Sequence, residues 1–259
     1  MTVVLCGIGS DTTNAGRVAP IYDDGRFEYV PIPEKTRETE ETATYGTWDL
    51  RYGEGVAADL LTAIAPDPSE GTTLRGETLR DWPLHRDPNF GALTYGEHRP
   101  NYVRRLEELD PGDVVGFYAG LRPPRGGRAH RYLIGYVTVD AVDVIPAEAS
   151  REEAAAVFAD HPGNAHARRA RAGGRYYDDE TVVLVSGREP GGLFDRDPVR
   201  MSTYEVKPGN ERPQYYLDPA FEERFAVVEG RENMQFKPAY SCDLDGAAFV
   251  ERVGVPGAR

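Results

Sequence analysis

The sequence is nearly without lysine. Of its 30 basic residues only Lys35, Lys207 and Lys237 are lysine, and 43 acidic residues leave a net charge of −13. Acid surplus with lysine depletion is the surface expected of a protein kept soluble in concentrated salt, as in a halophilic archaeon, or of an acidic protein encoded by a GC-rich genome. It does not exclude a polyanionic partner, because at about 1 M salt the Debye length falls to roughly 3 Å. Local arginine clusters are then a better guide than net charge.

Cysteine is also scarce. Cys6 and Cys242 are too few for a disulfide framework or a cysteine zinc site, so a reducing cytoplasm is the expected location. No stretch approaches the roughly 18 apolar residues of a membrane span, and Thr2 to Cys6 carries no basic flank. Neither export nor membrane insertion is expected.

Motifs of common chemistries are missing as well. There is no Gly-x-Ser-x-Gly elbow, no Walker loop and no cysteine with a local activating motif. The five histidines, His85, His98, His130, His161 and His166, form no His-x-x-x-His pair or zinc-ligand run, so no metal site is expected and the cofactor stays open. Gly7-Ile8-Gly9-Ser10-Asp11-Thr12 follows an apolar run but lacks the third glycine of a dinucleotide fingerprint, and Asn14 to Pro20 does not continue as a helix.

What is present reads as one compact α+β unit over residues 1–259. Val3 to Cys6, Phe27 to Ile32, Val114 to Tyr118, Tyr132 to Val144 and Val182 to Val185 have strand character. Arg122 to Arg128, rich in proline and glycine, joins two of them. Helical spacing recurs over Gly55 to Ala65 and after Arg99-Pro100, where proline suits the first turn. Ser150 and Glu153 have capping-box spacing, and Ala247 to Val253 reads as a terminal helix. The expected fold is a mixed, largely antiparallel sheet or partly open barrel with flanking helices.

Three groups carry potential chemistry. Backbone amides of the Gly9 turn, with Ser10, Thr12, Thr13 and Asn14 beside Asp11, suit either a structural turn or an anion-binding nest. His85-Arg86-Asp87 puts an imidazole and a carboxylate on one face of an extended chain, where they orient a general base or supply two metal ligands. Two arginine clusters, Arg122, Arg125, Arg128 and Arg131, and Arg168, Arg169, Arg171 and Arg175 near His161 and His166, suit either phosphate or surface carboxylates. Trp48, Trp82, Tyr95, Phe117, Tyr118, Tyr176 and Tyr177 offer faces for stacking a base or for building a core.

Several segments together resemble the third of the nucleotide-modification-associated domain families. These are Gly9 to Gly16, Ala19-Pro20-Ile21, Asp24-Gly25, Pro31-Ile32-Pro33, His85-Arg86-Asp87-Pro88, Gly91-Ala92-Leu93, Pro111-Gly112-Asp113, Phe117 to Gly120, Leu133 to Tyr136 and His161-Pro162. The resemblance spans about residues 5–225, with 226–259 as an extension. Thr94 and Tyr95 depart from the Gly-Gln that the family pattern places there.

The resemblance implies a protein of DNA base modification that binds or processes a nucleotide or modified base, with nucleic acid or the subunits of a modification or defence complex as partners. In an enzyme, Asp11, His85 and Asp87 are the expected acid, base or orienting groups. Gly9, Ser10, Thr12, Asn14, Arg122, Arg125, Arg128, Arg131, His161, Arg168 and Arg169 are the expected nucleotide or phosphate contacts. A non-catalytic base reader, a partner subunit and a small-molecule nucleotide enzyme are the alternatives.

Overall fold

A computed structural model of the chain describes residues 2–9, 14–173 and 180–254. The amino-terminal half contributes strands β1 (Val3–Gly7), β2 (Ala19–Pro20), β3 (Ile32–Pro33), β4 (Leu84–His85) and β5 (Thr94–Glu97), with helices α1 (Ala57–Leu60), α2 (Gly76–Arg80) and α3 (Pro100–Leu106). The long hairpin β6 (Val114–Arg122) and β7 (His130–Ile145) precedes α4 (Arg151–Ala159), α5 (Ala165–Arg171) and β8 (Val182–Leu193). Short strands β9 (Val199–Arg200), β10 (Ser202–Glu205) and β11 (Gln214–Leu217) lead to α6 (Pro219–Phe225), β12 (Val227–Glu229), β13 (Tyr240–Cys242) and α7 (Gly246–Val253).

The main sheet has the order β12-β13-β1-β6-β7-β8-β5, with β2 also on β6 and β9 also on β7. Among the described residues only the β1–β6 and β2–β6 pairs are parallel. The mixed, largely antiparallel α+β architecture is therefore the expected one, in its open form. The sheet curls without closing: Tyr95 on the edge strand β5 meets Phe117 of β6, three strands away, with ring centroids 5.0 Å apart.

Covering by neighbours on both edges and both faces explains why β1 is apolar throughout, all five residues being buried. Tyr102, Val103 and Leu106 of α3 pack on this core, and the Tyr102 hydroxyl accepts a hydrogen bond from the Gly7 amide at 3.3 Å. The proline at the first turn of α3, the Ser150 capping box of α4 and the terminal helix α7 form where the sequence placed them.

Two elements differ from expectation. The apolar spacing over Gly55 to Ala65 yields a single helical turn, because Leu61 turns extended at φ −110°, ψ 144° and Ile64 pairs with Leu74. Its apolar residues still bury, in a second core around Tyr45, Ala57 and Leu84. Phe27 to Ile32 is not a continuous strand: Phe27 makes an isolated bridge with Ile21, and a ladder forms only at the far end, where Ile32 faces His85 and Pro33 faces Leu84.

Candidate functional site

The short β3–β4 ladder brings Glu34, the residue after β3, against the His85 ring. His85 Nδ1 lies 2.9 Å from Glu34 Oε1, and the other oxygen of Glu34 accepts from Arg169 Nε at 2.8 Å. All three side chains are buried. Burial alone raises the Glu34 carboxyl, but the charges and hydrogen bonds of His85 and Arg169 outweigh it and hold it at about 2.

Two residues on, Asp87 faces the same cavity as His85 across a tight turn in which the Asp87 amide donates to the His85 carbonyl at 2.9 Å. Its Oδ1 accepts from the Gly96 amide on β5 at 2.9 Å. Its Oδ2 lies 3.0 Å from His166 Nε2 and 3.9 Å from His85 Nε2. Burial pushes the Asp87 carboxyl up to about 7 against the opposing pull of His85 and the Gly96 amide. Burial, then His85, draws the His166 imidazole well below its ordinary value.

His166 arrives on α5, whose first turn is fixed by Asn164: its side-chain oxygen accepts from the His166 amide at 2.9 Å and the Ala167 amide at 3.3 Å. The Asn164 amide nitrogen in turn donates to Thr94 Oγ1 at 3.1 Å, and Thr94 donates to the Val185 carbonyl at 2.8 Å. Thr94, one of the two departures from the family pattern, thus anchors the helix that delivers His166. Tyr95, the other, donates its hydroxyl to Glu97 Oε2 at 2.8 Å. Gly96 admits the imidazole, since a Cβ there would stand 2.4 Å from His166 Cδ2.

His85, Asp87 and His166 line a cavity of about 330 Å³, and their ligand atoms all lie within 4.8 Å of one another. No metal was expected from the sequence; two imidazoles and a carboxylate at this spacing are a donor set able to hold an ion. Gly9 and Asn14 line the same cavity. Ser10, Asp11, Thr12 and Thr13 lie outside the described residues.

The remaining candidates are placed elsewhere. His161 sits between Asp143, 3.0 Å from its Nε2, and Ser186, 3.2 Å from its Nδ1, and does not line the cavity. Arg168 and Arg171 pair with Glu41 and Glu40, so with Arg169 on Glu34 the described arginines of α5 clamp the acidic 34–41 segment. Arg169 alone of these lines the cavity; Arg175, Tyr176 and Tyr177 fall outside the described residues.

Arg122, Arg125 and Arg128 are exposed on the β6–β7 connection, with Arg128 3.9 Å above the Tyr204 ring and Arg131 5.1 Å above the Tyr215 ring. Because β1 and β6 run parallel, this connection lies at the same end of the sheet as Gly9. Trp48 and Trp82 belong to the second core, and Phe117 and Tyr118 to the first.

Sequence reasoning missed Glu34, His166 as a partner of Asp87, and the cations Lys35, Arg99 and Lys237 that line the cavity. A signal was available: two of the chain's three lysines stand here, in a protein that elsewhere uses arginine. Lys237 donates to the Ile8 and Gly9 carbonyls at 3.2 and 2.8 Å, tying the glycine turn in place. Arg99 is held by Glu97, whose carboxylate lies 2.5 Å from Arg99 Nη2. Among the described residues no helix is long and apolar enough to cross a membrane.

No curated protein and no solved structure matches the chain. The family pattern does, and further than the quoted motifs reach: the model of nucleotide modification associated domain 3 matches residues 2–252, so the chain belongs to that family.

Proposed function

We propose that the cavity binds a single base or nucleotide unit of nucleic acid and that the chain processes it at His85, Asp87 and His166. The carrying observation is the lining itself: two of the three lysines, Arg99 and a glycine turn surround a buried pair of histidines with a carboxylate. Cations beside backbone amides suit a phosphate. A volume of about 330 Å³ falls at the small end of ligand pockets, suited to one nucleotide unit and too narrow for a duplex.

Processing is favoured over reading because two buried imidazoles and a carboxylate converge in the cavity, groups suited to proton transfer that a reader relying on stacking does not need. Among the described lining residues the tyrosine is Tyr95, which is 2 % exposed and has its hydroxyl on Glu97. It presents no platform for stacking. The Arg122 to Arg131 face at the same end of the sheet supplies contacts to flanking phosphates.

Calorimetric titration with a nucleoside, its monophosphate and a short single-stranded oligonucleotide tests this reading. Saturable binding of the monophosphate is expected, weakened about tenfold or more by Lys35→Gln, with the nucleoside insensitive to that change, since a charge-assisted contact is worth roughly 1.5–3 kcal/mol. Absence of saturable binding for all three ligands overturns it.

A further inference from the structure

We propose that His85, Asp87 and His166 bind one divalent first-row transition-metal ion whose remaining coordination positions open into the cavity. The inference goes beyond nucleotide binding and stands without it.

The donor set selects the class of ion. Two imidazole nitrogens and one carboxylate suit iron, manganese, cobalt, nickel or zinc, whereas magnesium and calcium prefer oxygen ligands. The spacing agrees. Bonds of about 2.0–2.2 Å set neighbouring ligand atoms roughly 3.0–3.5 Å apart. Asp87 Oδ2 lies 3.0 Å from His166 Nε2 and 3.9 Å from His85 Nε2, and the three ligand atoms all fall within 4.8 Å of one another, so an ion draws the two rings inwards to complete the triangle.

The surroundings orient each ligand. Histidine ligands commonly give their second nitrogen to a carboxylate, which fixes the tautomer and aims the ligating nitrogen. His85 does this with Glu34 Oε1 at 2.9 Å, and Arg169 holds the other oxygen of Glu34 while its Nη2 lies 3.2 Å from the same His85 nitrogen. The Gly96 amide occupies Asp87 Oδ1, leaving Oδ2 for the histidines. Asn164 fixes the backbone at His166, and Gly96 leaves room for its ring. Three protein ligands lining one cavity leave positions open towards it, the pattern of a catalytic rather than a closed structural centre.

The test uses the full chain, stripped by chelator dialysis and titrated with cobalt(II) in the absence of nucleotide, followed by visible absorption and calorimetry. One equivalent is expected to bind. His85→Ala, Asp87→Ala and His166→Ala are each expected to weaken binding at least about a hundredfold, and Glu34→Gln about 10- to 100-fold. His130→Ala and His161→Ala are expected to bind as the wild type does.

Should ligand variants fail to fold, the wild-type cobalt complex decides alone: its proton NMR spectrum is expected to carry hyperfine-shifted signals from two imidazole rings. Absence of saturable one-equivalent binding, absence of those signals, or full affinity retained in folded ligand variants overturns the site. Because no nucleotide is present, such a failure leaves nucleotide binding standing, and failure of the nucleotide titrations leaves the metal result standing.

Discussion

At the scale of single residues the site depends on a side chain that is missing. Gly96 lies on β5 with its amide on Asp87 and its α-carbon under the His166 ring. A methyl group there would sit 2.4 Å from His166 Cδ2 and 2.9 Å from Cγ, distances that no ring tolerates without moving. The ring stands in a close-packed interior, so the displacement passes to α5. Gly96→Ala is therefore expected to cost about 1–3 kcal/mol in urea unfolding, as overpacking does, and to weaken cobalt binding while the Asp87 hydrogen bond to the amide persists. Unchanged stability together with unchanged cobalt affinity would contradict this placement of His166.

What the sequence disclosed follows the same local logic. The proximity of His85 and Asp87 was legible because they stand two apart in the chain. A tight turn, with the Asp87 amide on the His85 carbonyl, brings them together where an extended strand was expected. His166 was not legible as its partner, because it arrives through a helix whose position relative to β4 is a tertiary outcome. Glu34 was hidden in an acidic run for the same reason, its role created by the two-residue β3–β4 ladder. The lysines were the one compositional clue, visible only against the scarcity of lysine elsewhere.

At the scale of elements, the junction of β5 with α3 is tied by one carboxylate. Glu97 accepts from the amides of His98 and Arg99 at 2.9 and 3.0 Å, from Tyr95 at 2.8 Å, and from the Arg99 guanidinium. Burial alone would raise its carboxyl, but Arg99 and these hydrogen bonds outweigh burial and hold it at about 2, below the ordinary 4.5. A carboxyl lowered on folding stabilises the protein above its unfolded-state value, and that contribution is lost as pH falls towards the folded value.

Glu97→Gln is accordingly expected to lower the melting temperature at pH 7. The gap between variant and wild type should narrow from about pH 4.5 down towards 2, measured by thermal melts across that range. A gap independent of pH would show that the variant acts through packing alone. The helix expected over Gly55 to Ala65 shows the converse limit of local reading: apolar spacing located the buried residues there, while the second core, not the helix period, determined their backbone.

At the scale of the whole molecule the two arginine clusters have opposite surroundings. On α5 the described arginines lie on Glu34, Glu40 and Glu41, so they hold the chain segment that supplies Glu34 to the site. On the β6–β7 connection, Arg122, Arg125 and Arg128 face solvent, with tyrosine rings under Arg128 and Arg131. If a strand enters the cavity by one unit, its flanking phosphates lie on the second face. Replacing Arg122, Arg125, Arg128 and Arg131 together by glutamine is then expected to weaken oligonucleotide binding and leave mononucleotide binding unchanged.

Each lost phosphate contact should also reduce the slope of log affinity against log salt by about 0.7 for a single strand. Stability should change little at the exposed Arg122, Arg125 and Arg128, since exposed pairs such as Arg125 with Asp23 are worth about 0–1 kcal/mol. Arg169→Gln is expected to do the reverse. Breaking a buried pair leaves Glu34 without its cation and costs roughly 3–5 kcal/mol, so unfolding should shift strongly and His85 should lose its support. Oligonucleotide titrations over a potassium chloride series, beside urea unfolding of both variants, separate the two. A hairpin variant with wild-type polymer affinity and salt slope would remove that face from binding and restrict recognition to the cavity.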